Sequence, residues 1–521
     1  MNRKAIFLTV FAALAALGLA LAGQAFAQER QATPPEYKEL VAASQIKDTA
    51  ARLKEFERIK AAYPESRFMA GIDSSILAAR IELAETLDAV LELQKGLLGA
   101  GPGPRRLQGP MVAADQILSH PKLKTFNKTD VVNVILRYRE QTLKAIDDPA
   151  SYQGIPADRQ GAIKAQLVNG LEILVAQAHL NAGDTAKAIA SLDAYKQGGG
   201  VVGGAYLYTL AAVYEKTNKT KEAYEAFLGA AADNYLDATD RARALYVKLN
   251  GTPEGFEAAL EVRMKSLPYE PGPFKAPADW KGKAVLAELF TGSECPPCVG
   301  ADLGFDGLIE SYPAKYLAIL EYHLPIPRPD PMMNPATKKR QDYYGINSTP
   351  TVVIDGDKDA TGGGNRSMAA GKFKQYKAQI DGRLAADPGV VLKVKATRAG
   401  ETIKVEYDFD KPVPGTEVQI VLVQGEEKYK GSNGLEFHKL VVRDLVTADP
   451  AASRQVSFDL AASEQRSDQY LTEFENTSTR FQNFKFPERH ARIDRSKLRI
   501  VVFLQDKETK KVTNAVVGDV K

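Results

Sequence analysis

The 521-residue chain predicts a multidomain protein built in series: all-α stacked helix pairs, then an α/β segment, then an all-β sandwich. Three observations predict it. The hydrophobic period changes along the chain, from helical spacing over residues 35–265 to strict alternation from about residue 388. One helical stretch echoes itself at an offset of 34 to 35 residues. The chain's 2 cysteines, Cys295 and Cys298, stand together where a predicted strand gives way to a predicted helix. A chain of this length needs more than one core.

Residues 1–27 read as a signal peptide. Arg3 and Lys4 precede an apolar run from Ala5 to Ala22, and Ala25-Phe26-Ala27 forms a small-x-small cleavage site before Gln28. An uncleaved anchor is the competing reading, since the run approaches the length of a span. The expected product is a periplasmic or secreted protein with no membrane span in its mature chain. The full chain's net charge of +3, with 26% charged residues, gives no basic field for nucleic acid.

Residues 28–266 are expected to form the helical domain. Ala178 to Asp184 followed by Ala186 to Leu192 is matched by Ala212 to Asn218 followed by Lys221 to Leu228. That offset resembles tetratricopeptide helix pairs, which stack to bury their apolar faces and leave a concave surface suited to peptides. Phe56 to Pro64 with the helix from Ser74 onward resembles a divergent copy, whereas Arg105 to Lys128 breaks the pattern. A plain helical bundle is the alternative.

Pro268, Pro271, Pro273 and Pro277 mark a semi-rigid linker into the segment 267–386. There Ala284–Phe290 and Leu317–Tyr322 read as strands and Cys298–Ser311 as a helix. Thr351–Ile354 opens a hairpin through Asp355-Gly356, and Lys372–Leu384 forms a closing helix. Residues 387–521 read as the sandwich, because Leu392, Val394 and Ala396, then Ile403, Val405 and Tyr407, alternate with polar residues.

Two cysteines separated by two residues close too small a loop to restrain the unfolded chain much, so chemistry explains them better than stability. A thiol at a helix N-terminus faces unpaired N–H groups and the positive end of the helix dipole, which stabilises the thiolate that attacks in disulfide exchange. Cys295, at the turn, is expected to be the exposed nucleophile and Cys298 the resolving thiol. Pro296 and Pro297 stiffen the turn between them and suit a first helical turn. A zinc site would need two further ligands; no second cysteine pair exists, and His179, His323, His438 and His490 lie in separate regions. No metal or cofactor is called for. Asp355, Asp357 and Asp359 alternate like a calcium loop, but Arg366 occupies the position of the closing carboxylate. Gly362-Gly363-Gly364 lacks the lysine of a phosphate loop.

The strand before Cys295-Pro296-Pro297-Cys298, together with Ser348-Thr349-Pro350-Thr351-Val352-Val353-Ile354, resembles the thioredoxin-like superfamily. Ala287-Glu288-Leu289-Phe290-Thr291, Glu321-Tyr322-His323, Asp330-Pro331, Arg340-Gln341 and Tyr344 make it similar to secreted bacterial thioredoxin-like proteins. The resemblance implies a cis-proline at Pro350, with Thr349 and Pro350 docking the substrate backbone. It also implies a buried acid, Glu288, that relays the proton of the second cysteine, at the cost of an apparent one-residue insertion between Thr291 and Glu294. The insert Leu324–Asp342, with Met332 and Met333, is expected to rim the site, and His323 to be a structural or rim residue.

Two functions follow from these readings. One is thiol–disulfide exchange on protein or peptide cysteines, with flanking domains selecting partners and a protein supplying electrons; the lack of a histidine between the cysteines leans towards reduction or isomerisation. The other is a scaffold or adaptor in which the redox fold is structural.

Overall fold

A computed structural model describes residues 34–98, 103–200, 202–411, 414–451 and 454–521. The expected signal peptide lies outside the described residues. The chain forms two compact units, one ending at Glu257 and one running from Ala258 to Lys521.

The first unit is helical. Its helices are α1 (Pro35–Ser44), α2 (Thr49–Ala62), α3 (Met69–Leu83), α4 (Leu87–Gln94), α5 (Arg105–Leu118), α6 (Lys128–Ile146), α7 (Ala157–Ala182), α8 (Thr185–Gln197), α9 (Gly204–Lys216), α10 (Thr220–Ala232) and α11 (Ala238–Asn250). The internal echo corresponds to two helix hairpins. Gly183 ends α7 at φ 89°, and Asn218, 35 positions on, joins α9 to α10 at φ 61°. Both joints use a left-handed backbone, which glycine and asparagine tolerate best. Asp184 then caps α8 by accepting from the Lys187 amide at 3.0 Å. Ile173, Ala176, Leu192 and Tyr206 form one apolar cluster across α7, α8 and α9. In the segment read as departing from the repeat pattern, α5 carries Pro110 inside it and buries Leu107, Ala113 and Ile117.

The second unit begins within α12 (Phe256–Lys265). The Pro-rich segment after it is no free spacer, because its aromatics stick to the core. The Phe274 ring lies tilted against Tyr312 with centroids 4.5 Å apart, Trp280 lies 4.6 Å from Tyr316, and the Tyr269 hydroxyl donates to the Leu303 carbonyl. Then follow β1 (Val285–Thr291), α13 (Val299–Ser311), β2 (Leu317–His323), α14 (Pro335–Tyr344), β3 (Thr351–Ile354), β4 (Asp357–Thr361) and α15 (Ala369–Leu384). The remainder is β5 (Leu392–Ala399), β6 (Thr402–Phe409), β7 (Thr416–Lys428), β8 (Phe437–Ala448), β9 (Gln455–Asp459), α16 (Leu460–Thr477), β10 (Leu498–Asp506) and β11 (Val512–Asp519).

The expected division at 386/387 does not divide this unit. One mixed sheet runs β11-β10-β7-β8-β2-β1-β3-β4, so the central strands of the α/β part continue into those expected to form a separate sandwich. The junction is the parallel pairing of β2 with β8 at Glu321 and Val441. A smaller antiparallel sheet, β5-β6-β9, does face one side of the large one. Ile403, Val405 and Tyr407 pack there with Ile420, Leu422, Ile500 and Val502. The other side of the same strands, through Val421, Val423, Val442 and Phe503, joins the core around β1 and β2. Strands covered on both faces carry near-continuous apolar runs, and Val418–Val423 and Ile500–Leu504 do.

Candidate functional site

The site sits where β1 leaves the sheet. Gly292–Glu294 leads to Cys295, a 3₁₀ turn spans Pro296–Cys298, and α13 follows. The Cys298 amide donates to the Cys295 carbonyl at 2.9 Å. The two prolines occupy turn positions where no N–H is missed. The sulfurs are bonded to each other, with Cα atoms 5.3 Å apart. Thr349 Oγ1 lies 3.3 Å from Cys295 Sγ, and its hydroxyl donates to the Ile326 carbonyl at 2.8 Å. The Thr349–Pro350 peptide is cis. Cys295, Cys298, Pro296, Pro297, Thr349 and Pro350 are therefore brought together as expected.

Exposure is not as expected. Both cysteines are 0% exposed, while Pro296 and Pro297 reach solvent. Three loops, all remote from the motif in sequence, pack on the residues around the disulfide. Residues 324–330 reach Thr349 through Ile326. Residues 362–364 close the other flank, where the Gly364 amide donates to the Pro297 carbonyl at 2.7 Å and a Cβ on Gly363 would strike that carbonyl and Pro350. The glycine triplet thus serves close backbone approach. The crossing from β7 to β8 supplies the third loop: the Asn433 amide donates to the Ser293 carbonyl at 3.0 Å.

Glu288 does not join the cysteines. Side chains alternate along a strand, so the one-residue offset turns it to the opposite face of β1 from Thr291, which faces α13. There its carboxylate is enclosed and fully bonded. Arg340 donates to both of its oxygens at 2.7 and 2.9 Å, Tyr322 donates to one at 3.0 Å, and Tyr344 to the other at 2.7 Å. Gln505 closes the network by accepting from Arg340 at 2.8 Å. Despite burial, the charge of Glu288 keeps the Arg340 guanidinium firmly protonated. This is a neutralised structural cage, and the proton-relay role read for Glu288 does not fit it.

The face towards α13 carries different acids, which sequence reading missed. Asp302 stands four residues after Cys298 on α13, a spacing that puts both on one helix face. Thr291 donates to it at 2.7 Å. Burial, opposed by that bond and by His323, pushes its carboxyl up to about 7. Burial likewise raises Asp306, one turn further on, to about 6, with Lys439 at 3.4 Å. Glu321 on β2 is raised well above the usual range by burial and by those two carboxyls, and one of its oxygens has no hydrogen-bond partner. The available signal was two aspartates at four-residue spacing in a helix that is otherwise apolar from Val299 to Ile309.

His323 is fully buried, so it is no rim residue. It pairs with Asp330 at 3.0 Å, and Asp330 also accepts from the Ser293 amide at 2.6 Å and from the Ser293 hydroxyl at 2.9 Å. Burial opposes ionisation of Asp330, but the His323 charge and these bonds hold it down to about 2. Asp330 thereby ties the 324–330 loop to the approach of Cys295. His438, remote in sequence, meets His323 with ring centroids 5.1 Å apart; burial and the His323 charge lower it to about 4. Met332 and Met333 are core residues. Asp355 pairs with buried Lys283 at 3.1 Å and accepts from the Leu286 amide, which fixes the hairpin. Among the described residues, no group of three or more His, Cys, Asp or Glu is arranged to hold a metal ion.

No protein-family model matches the chain, and no curated protein does. A solved structure that it resembles is the X-ray crystal structure of a protein from Agrobacterium tumefaciens. The match has 14% identity and a TM-score of 0.28, covering 45% of this chain and 92% of that one. A likeness of that degree carries no argument about fold or function. No helix among the described residues is long and apolar enough to cross a membrane.

Proposed function

We propose that this chain is an exported thiol–disulfide oxidoreductase with a thioredoxin-like redox segment, acting on protein cysteines through Cys295 and Cys298. The observation that carries the reading is the bonded cysteine pair at the head of α13 with Thr349 Oγ1 3.3 Å from Cys295 Sγ. The strand β1 leading into the C-x-x-C turn, with Thr349-Pro350 placed beside Cys295 at the head of β3, supports it.

In the reducing direction the Cys295 thiolate attacks a substrate disulfide, one substrate thiolate leaves, and a mixed disulfide forms. Cys298 passes its proton to the Asp302 carboxylate, and its thiolate attacks Cys295 Sγ. The second substrate thiolate departs and the Cys295–Cys298 bond closes. Two electrons have moved to the substrate, and a dithiol protein must return them. Asp302, with its carboxyl near 7, suits proton exchange around neutrality. Stacked helices and the C-terminal strands would select partners.

A scaffold reading is favoured by one observation, the complete burial of both sulfurs. The deciding measurement is turnover of insulin disulfides with dithiothreitol by the full chain, alongside Cys295→Ser. Wild-type turnover that Cys295→Ser abolishes supports the enzyme. A Cys295–Cys298 bond that no dithiol reduces in the folded protein, with no turnover, leaves the scaffold.

A further inference from the structure

We propose that residues 429–435, between β7 and β8, form a displaceable strap in the groove beside Cys295 where the backbone of a protein substrate docks. This rests on the oxidoreductase reading and adds its substrate class: flexible, extended chain segments with small residues beside the reacting sulfur.

The strap reads Tyr429-Lys430-Gly431-Ser432-Asn433-Gly434-Leu435, with a small polar tip between two anchored ends. At one end the Tyr429 carbonyl bonds His438 Nε2 at 2.9 Å. At the other, Leu435 packs with Val299, Leu303 and Ala369. Between them the hold is polar and directed at the three residues before Cys295. The Asn433 amide donates to the Ser293 carbonyl at 3.0 Å and its side chain to the Gly292 carbonyl at 3.3 Å. The Ser432 amide and the Tyr429 hydroxyl each donate to Glu294 at 3.3 Å. Arg328, from the loop on the other side of the site, donates to the Ser432 hydroxyl at 2.9 Å.

Peptide-type donors on the carbonyls that lead into a reactive cysteine are what an incoming extended segment would itself supply. Water or a substrate can replace each of these bonds, and no apolar side chain at the tip need leave a core. The fit is close: a Cβ on Gly431 would run into the Ser293 carbonyl. Gly431 does not have a positive φ, so that clash, rather than backbone conformation, is what opposes alanine there. Gly434, at φ 88°, provides a turn that larger residues adopt poorly. Backbone donors spaced along one extended segment, as the strap offers them here, are what a loop or an unfolded chain presents.

Gly431→Ala should unseat the strap with one methyl group, and Asn433→Ala should loosen it by removing a side-chain bond. The readouts are the rate at which a trialkylphosphine reduces the Cys295–Cys298 bond and the rate of insulin turnover, with thermal unfolding and near-ultraviolet dichroism to establish that each variant is folded. Reduction about tenfold faster in Gly431→Ala, with a smaller gain in Asn433→Ala, is expected from the loss of a few hydrogen bonds. Turnover should rise with it. Phosphine rates within twofold of wild type in both folded variants overturn the strap, whether or not the wild type reduces insulin. Faster phosphine reduction with no insulin turnover in any form overturns the oxidoreductase reading, and the groove's substrate role with it.

Discussion

The two faces of the β1–β2 pair each hold buried carboxylates, under opposite conditions. On the face towards α14, Glu288 has Arg340, Tyr322 and Tyr344 on its oxygens. On the face towards α13, Asp302 has the Thr291 hydroxyl and shares its neighbourhood with Asp306, Glu321 and His323. Burial is alike; partnership is not. A carboxylate matched by a guanidinium holds elements together. A carboxyl crowded by other acids holds a proton that it can release. The difference marks Glu288 as a structural acid and Asp302 as the one that would carry a proton under the oxidoreductase proposal; burial alone does not separate them.

The largest expected effect falls on the matched face. Glu288→Ala leaves the Arg340 charge buried without a partner, which should cost about 3–5 kcal/mol in denaturant unfolding. Replacing Glu288 and Arg340 together by leucine should recover most of that. If Glu288→Gln leaves stability intact but removes the pH dependence of exchange, the two faces have been assigned the wrong way round.

Asp302 comes next, with a sign that depends on pH. A carboxyl raised by burial binds its proton more tightly folded than unfolded. Stability should therefore fall as pH climbs from the unfolded value near 4 through about 7. Asp302→Asn escapes that loss, so it should match wild type best at acid pH and exceed it by on the order of 2–4 kcal/mol at pH 8. In the same variant the exchange rate should fall roughly a hundredfold and lose its inflection near neutrality. A variant that is more stable but equally active would make Asp302 a burden without a role.

The smallest effect concerns Asp330, held low at about 2. Its contribution is fully present above the unfolded value near 4 and disappears as pH falls towards 2, about 2 kcal/mol in all. Asp330→Asn should flatten that acid limb in thermal scans across pH 2 to 5. It should also speed phosphine reduction, because the 324–330 loop keeps only an uncharged acceptor for Ser293.

Local pattern made the elements around the cysteines legible. The strand into Cys295, the helix out of Cys298, the hairpin at Asp355-Gly356 and the helix pairs joined at Gly183 and Asn218 all follow from period and turn chemistry close in sequence. What sequence did not reveal depends on distant pairing. Nothing in Tyr429–Leu435 says that it packs on the residues before Cys295, since that follows from β8 pairing with β2. The face of Glu288 turned on a single residue of register, and a motif match with an apparent insertion cannot settle register. The α-helix Leu460–Thr477 lay inside a segment whose strands dominated the pattern.

The shared sheet has a consequence for how this molecule can be taken apart. The cysteine-bearing segment ends at an edge, β2, that its own residues leave unpaired; β8 supplies the neighbour. A fragment cut at 386 would bare a row of backbone donors and acceptors flanked by Leu320, Tyr322 and Leu324, an invitation to associate edge to edge. It would also lose the 429–435 segment that packs on Gly292, Ser293 and Glu294. Excision would leave a sticky fragment, so the C-terminal strands belong to the same structural unit as the cysteines.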